Sequence, residues 1–322
     1  MKHTRQFLVA LALGAAAQAS IADIVTTTGT TTSGPTFNRP LEDLSALSMI
    51  GTAVRYDAYS FRVGTSGEYS FLTTAQFDTF AFLYAPSLNA AAPLANSLIG
   101  NDDRVGLTTS GFAYGLTAGV DYTLITTAFE NGDAGFYSST IGGSGAITAT
   151  APVPPQADRP NLRTFTGDTS SGPSFNRPLE DLSALSVIGT AVRYDTFSFR
   201  VGTAGEYSFM TTAAFDAFSV LYAPSLNAAT PLAGSLIGND DLVGLTTTGF
   251  AYSLLAGVDY TLVTTAFENG NGGFFSSTIG GPGDILTPTA PVPEPETYAL
   301  MALGLAALGV VSRRRRAQST PA

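Results

Sequence analysis

Apolar positions along this chain recur with a period of two. Tyr59, Phe61 and Val63 alternate with Ser60 and Arg62, Tyr69 and Phe71 follow Gly67, and Phe80, Phe82 and Tyr84 form the next alternation. Tyr122, Leu124 and a Thr-rich run lead to Phe129, and Phe136 to Ile141 closes the series. Successive side chains of a strand point to opposite faces. Aromatic and β-branched residues at alternate positions, punctuated by Gly, Asn and Asp, therefore predict an antiparallel β-sandwich with one face of each sheet buried. Pro40 to Ser48 breaks the pattern. There Leu41, Leu44 and Leu47 stand at helical spacing behind Pro40, with Glu42 and Asp43 in the first turn, which predicts a short helix or helical turn.

This unit is written twice. The segment from Gly51 to Asp57 returns at Gly189 to Asp195, an offset of 138, and the same offset carries Asn101-Asp102-Asp103 onto Asn239-Asp240-Asp241. The match runs without gaps from Ser33 to Ile147, with roughly four positions in five identical. A period this long indicates tandem domains, because solenoid repeats span roughly 20–50 residues. The expected organisation is a first domain over 26–147, a linker over 148–164 containing Ala151-Pro152-Val153-Pro154-Pro155, and a second domain over 165–287.

Both ends have the composition of targeting segments. Residues 1–22 combine Lys2 and Arg5 with an apolar run from Phe7 to Ala17 and small-x-small sites at Ala17-Gln18-Ala19 and Ser20-Ile21-Ala22, which predicts a secretory signal peptide. At the other end, Val292-Pro293-Glu294-Pro295 runs into the apolar stretch Tyr298 to Val311 and then into Arg313-Arg314-Arg315-Arg316. At about 1.5 Å per residue, a helix of that length falls short of the roughly 30 Å hydrocarbon core. The arrangement resembles the PEP-CTERM signal of Gram-negative bacteria over residues 292–316, with Pro293, Glu294, Pro295 and Arg313 to Arg316 as the processing signal. The resemblance implies cleavage near Pro-Glu-Pro by an exosortase-like membrane transpeptidase and release to the cell surface or extracellular matrix, with transient inner-membrane contact through the apolar segment. A plain C-terminal anchor is the competing reading.

With the ends set aside, the available chemistry is narrow. The only His is His3, the only Lys is Lys2, and the chain has no Cys or Trp. The body therefore excludes a Ser-His-Asp triad, a thiol nucleophile, a Schiff-base lysine, a Cys/His zinc site and disulfides, and the expectation is that it is not an enzyme. From Asp23 to Asp284 there are 23 acidic residues against 9 arginines, a net charge of −14, which argues against a nucleic-acid partner.

The ordered residues Tyr56-Asp57, Gly67-Glu68-Tyr69, Phe77-Asp78-Thr79-Phe80, Leu83-Tyr84, Asn101-Asp102-Asp103, Ser110-Gly111-Phe112, Ala118-Gly119, Tyr122 and Gly135-Phe136 resemble the bacterial pre-peptidase C-terminal domain. That resemblance covers most of each copy and implies an all-β chain of two tandem antiparallel jelly-roll-like β-sandwich domains. In that family the module is an accessory, in places linked to substrate or calcium binding, and no peptidase domain accompanies it here.

Candidate site residues are few. Adjacent carboxylates suit a hard cation that takes six to eight oxygens, so Asp102 and Asp103, with Asp240 and Asp241, are the candidate calcium ligands, against an ordinary Asx turn. Arg104 becomes Leu242 in the second copy, so its guanidinium is not required by the loop. Glu130-Asn131-Gly132-Asp133 reads as a turn. Asp78 and Asp216 read as buried carboxylates held by backbone donors, and the sharper alternative pairs Asp78 with Glu130 or Asp103 as a glycosidase acid and base. Tyr56, Tyr59, Tyr84, Tyr114 and Tyr137 are candidates for a sugar-stacking face, but Tyr59 and Tyr137 become Phe197 and Phe275, which favours core packing. The expected function is structural or adhesive, with an exosortase-like transpeptidase and exopolysaccharide as partners; the alternatives are a carbohydrate-binding or calcium-dependent recognition module and an accessory to an extracellular hydrolase.

Overall fold

A computed structural model describes residues 23–151 and 159–287. The signal peptide expected at 1–22 and the apolar and Arg-rich tail beyond 291 lie outside the described residues. Among the described residues no helix is long and apolar enough to cross a membrane.

Each copy is a β-sandwich. The first contains β1 (Asp23–Thr30), β2 (Thr36–Phe37), β3 (Val54–Val63), β4 (Gly67–Ala75) and β5 (Thr79–Tyr84). These are followed by β6 (Ser97–Asn101), β7 (Thr109–Leu116), β8 (Asp121–Ala128), β9 (Phe136–Gly143) and β10 (Ile147–Ala149). The second copy repeats them as β11 (Leu162–Asp168), β12 (Ser174–Phe175), β13 (Val192–Val201), β14 (Gly205–Ala213) and β15 (Ala217–Tyr222). Its remaining strands are β16 (Ser235–Asn239), β17 (Thr247–Leu254), β18 (Tyr260–Ala266), β19 (Phe274–Gly280) and β20 (Ile285–Leu286).

In the first copy a four-stranded sheet in the order β1-β9-β4-β7 faces a sheet in the order β10-β3-β8-β5-β6, with β2 also on β3. This interleaving of early and late strands across two antiparallel sheets is the jelly-roll arrangement. The core lies between the sheets, where Phe61, Phe71, Leu83, Phe112, Leu124 and Ile141 interlock. The period-two pattern is realised directly: Tyr69 and Phe71 of β4 point into this core, and Phe61 and Phe71 lie 6.1 Å apart, centroid to centroid. Tyr59, Tyr84 and Tyr137 are buried among the core residues, so those three rings pack the interior and do not form a sugar-stacking face.

Three expectations need adjustment. Pro40 to Ser48 forms no helix. It closes as a loop in which Pro40 bridges Leu47, Leu44 N–H donates to Leu41 C=O at 3.0 Å, and Leu44 takes φ +58°. The helical turn stops there because a left-handed residue cannot propagate a right-handed helix. The leucine spacing instead reflects loop packing, with Leu44 against the core and Leu41 partly exposed at 39%. Second, β1, β6 and β7 were not marked by the alternation, and Asn101 ends β6 where a loop residue was expected. Third, the 148–164 stretch supplies strand residues at both ends, Thr148 and Ala149 in β10 and Leu162 to Thr164 in β11.

The four-stranded sheets bury both faces. On β4, Ser70, Leu72 and Thr74 point away from the aromatic core yet are at most 5% exposed. Both sandwiches belong to one compact unit, and the Thr74 methyl lies against Gly280 of the sister sheet.

Candidate acidic site beside a buried arginine

At one end of each sandwich four loops are tied together by hydrogen bonds. Thr79 N–H donates to Leu107 C=O at 3.0 Å, and Phe129 N–H donates to Asp78 C=O at 2.9 Å. Asn131 accepts from Ala53 N–H and donates to Thr52 Oγ1, both at 2.7 Å, while Gly132 takes φ +102°. That geometry is the turn expected for Glu130 to Asp133.

Sequentially distant carboxylates meet here. Oxygens of Asp78, Asp102 and Asp103 lie within 4.8 Å of one another, and Asp216, Asp240 and Asp241 form the matching group. The strand order explains the juxtaposition. β5 and β6 are antiparallel neighbours, so the residue preceding β5 lies beside those following β6. Asp78 and Asp102 are half-buried and Asp103 is exposed. One oxygen of each half-buried carboxylate, Oδ1, is enclosed without a protein hydrogen-bond partner, and Asp216 and Asp240 repeat this. The backbone donors expected for Asp78 Oδ1 are therefore not there. Asn101 is not a free ligand either, because its Oδ1 accepts from Gly111 N–H at 2.8 Å and its Nδ2 donates to Glu42 at 2.9 Å.

Arg39 is the residue that sequence reasoning passed over. Only 2% exposed, it donates through Nε to Phe129 C=O at 2.8 Å and through a terminal nitrogen to Pro40 C=O at 3.0 Å. Its guanidinium lies between two rings, 4.5 Å from the Phe80 centroid and 4.7 Å from that of Phe129. A Cβ at Gly51 would sit 2.6 Å from Arg39 Nε, so only glycine admits the stacked arginine. Arg177 is held in the same way by Phe218, Phe267 and Gly189. The one available signal was Asn-Arg-Pro standing unchanged in both copies, at 38–40 and 176–178.

The electrostatics follow from this packing. Burial lowers the Arg39 pKa, and the charges of Asp102 and Asp78 oppose that fall. Burial is also the largest cause pushing Asp78 up to about 6, followed by the charges of Asp103, Asp133 and Glu130, with Arg39 pulling the other way. Asp102 is pushed up to about 7 by burial, then by Asp103 and Asp78, and Asp240 likewise reaches about 7. Three crowded carboxylates with one fixed internal cation retain excess negative charge. Such a group can take up protons or bind a hard cation through oxygen donors.

Exposed apolar side chains lie on loops of the same end. Met49 and its counterpart Val187 are 90% and 88% exposed, and Leu107, whose carbonyl accepts from Thr79, is also exposed.

The sequence matches the PEP-CTERM protein-sorting motif over residues 291–316. The match includes Pro293, Glu294, Pro295 and Arg313 to Arg316. It marks an exported protein with a C-terminal sorting signal of the kind an exosortase processes, in keeping with the cell surface of Gram-negative bacteria. Among curated proteins the chain has no match. Among solved structures it is similar to an anti-sigma factor domain-containing protein, at 13% identity over 78% of this chain and 88% of that one, with a TM-score of 0.21. A second such protein, from Clostridium clariflavum, shows 15% identity over 82% of this chain and 98% of its own, again at 0.21. The PBSX exported protein XepA shows 10% identity over 81% and 86%, also at 0.21.

Proposed function

We propose that this exported chain is a non-enzymatic structural or adhesive protein of the bacterial outer surface or extracellular matrix. The sorting motif at 291–316 is the observation that carries the reading. It is supported by a body without His, Lys or Cys and by a doubled sandwich whose loop ends present Met49 and Val187 to solvent. Exopolysaccharide is the partner this reading implies. A host lacking the protein is expected to form a less cohesive matrix, with the purified protein restoring it. An unchanged matrix, or retention of the protein in the periplasm, would overturn the proposal.

A second reading, calcium-dependent recognition, is favoured by the paired groups Asp78, Asp102, Asp103 and Asp216, Asp240, Asp241. The resemblance to the pre-peptidase C-terminal module supports a third, an accessory to an extracellular hydrolase supplied by another chain. A glycan array run with calcium and with chelator distinguishes recognition from a purely structural role.

Processing is checked separately. The mature protein recovered from its host is expected to end near Pro293 and to lack Arg313 to Arg316, as read by intact mass. A membrane-embedded species that keeps the four arginines would favour a permanent anchor.

A further inference from the structure

We infer that the outer face formed by β4 and β9 is a self-complementary docking surface whose partner is another sandwich of the same kind, and that Arg104 selects the unlike pairing of first with second copy. The contacts across the two sandwiches occur as reciprocal pairs. A Cβ on Gly142 would strike the Thr212 methyl, and a Cβ on Gly280 would strike that of Thr74. Gly106 approaches the Glu206 carboxylate and Gly244 approaches that of Glu68. Thr140 shares a hydrogen bond with Thr26 at 3.0 Å, and Thr26 shares one with Ser276 at 2.8 Å. The mirrored chain runs from Thr278 to Thr164 and on to Ser138, each step at 2.9 Å.

Every one of these contacts maps onto its partner when the first-copy residue is advanced by 138 and the second-copy residue moved back by 138. A contact of i with j accompanied by one of j with i defines an isologous, two-fold interface. The chemistry suits close apposition. Ser, Thr and Gly allow the sheets to approach; the hydroxyls of Thr26, Ser138, Thr164, Ser276 and Thr278 pair with one another, while Thr74 and Thr212 turn their methyls to the facing glycines.

A few contacts have no mirrored counterpart, among them Gln76 with Asn161 and Arg159 over the Phe136 ring, and one of them falls where the two copies differ in charge. Arg104 donates a guanidinium hydrogen bond to the Leu242 carbonyl, and Leu242 occupies the symmetry-related position. Pairing two first copies would place two Arg104 side chains at this spot, and like charges in close apposition disfavour it. Two second copies would have Leu242 at both positions and no guanidinium donor. The unlike pair alone has one cation and one open carbonyl. A charge that the acidic loop does not need therefore acts across the interface.

The test uses the whole chain with a protease site placed between residues 151 and 159. After complete cleavage the halves are expected to remain together in size-exclusion chromatography at micromolar concentration. Cleaved protein grown on heavy nitrogen is then mixed with unlabelled cleaved protein and held until heavy and light halves have scrambled between unlike pairs. Native mass spectrometry should show unlike pairs exceeding first–first pairs by at least about fivefold beyond the statistical ratio. Arg104→Leu should remove most of that excess and bring the two toward the statistical ratio. Separation of the halves on cleavage would overturn the docking surface. Unchanged pair ratios in Arg104→Leu, with the halves still associated, would overturn the role of Arg104.

Discussion

Replacing Arg39 with alanine is expected to cost the first sandwich about 3–5 kcal/mol, among the largest effects of any single substitution. Three losses add. The side chain is among the largest that are fully buried, so its removal leaves a cavity between Phe80 and Phe129. Two hydrogen bonds from a charged donor vanish, leaving the Phe129 carbonyl without its guanidinium donor. Asp78 and Asp102 lose the one cation that offsets their burial. For a body of this size the midpoint should drop by roughly 10 °C. Arg39→Lys keeps the charge but not the planar fork, so it should recover only part of the loss. Adding Asp102→Asn to Arg39→Ala should recover some stability, since a neutral amide does not need the missing cation. Calorimetric melts of the native protein, Arg39→Ala, Asp102→Asn and the double variant form a double-mutant cycle. A loss below about 1 kcal/mol for Arg39→Ala would show that the loops repack around the gap.

The second large effect is expected with pH. Asp78, Asp102 and Asp240 have folded pKa values near 6, 7 and 7, all above the usual carboxylate value, and Asp216 is raised for the same reason. Below the unfolded value both states are protonated and nothing is lost. As pH rises from about 4 through 7, the unfolded chain releases these protons first, so folding stability falls across that window. Asp43, Asp121, Asp168, Asp181 and Asp259 are shifted the other way by hydrogen bonds from Ser or Arg partners. Their contribution disappears at still lower pH, so the optimum lies near pH 4. Because the raised carboxylates are only half-buried, solvent screening limits the effect to about 1–2 kcal/mol per sandwich. In chelator, melts at pH 5 should therefore exceed those at pH 8 by several degrees, and Asp102→Asn with Asp240→Asn should flatten the difference. Calcium separates the two fates of the cluster. If it binds, millimolar calcium restores the midpoint at pH 8, with about 2.7 kcal/mol at a hundredfold excess over Kd. Equal midpoints with calcium and chelator at pH 8 would leave the cluster linked to protons alone.

Much of the fold was legible because strands with one buried face write their period directly into the sequence. Tyr59, Phe61 and Val63 needed nothing beyond alternation, and the offset of 138 announced the second sandwich. Leu41, Leu44 and Leu47 misled because a spacing of three serves a loop as well as a helix, and only the left-handed Leu44 decides between them. Two of the three carboxylates of each acidic group were visible as Asp102-Asp103 and Asp240-Asp241. Asp78 joins it through the pairing of β5 with β6, a long-range relation that spacing does not encode. Arg39 was hidden because a lone arginine beside proline reads as surface. Thr74, Ser138 and Gly142 were hidden for the opposite reason, since polar positions in an alternating strand read as facing water when here they face a second sheet.

That buried hydroxyl seam bears on life outside the cell. Two separate exported chains joined by such a face would part wherever dilution took their concentration below the dissociation constant. Tethering the two faces on one polypeptide replaces bulk concentration with a local one, on the order of millimolar for a short linker. Dilution then no longer separates them. The duplicated chain carries its own partner, and the association of its sandwiches becomes a property of each molecule whatever the concentration of its copies.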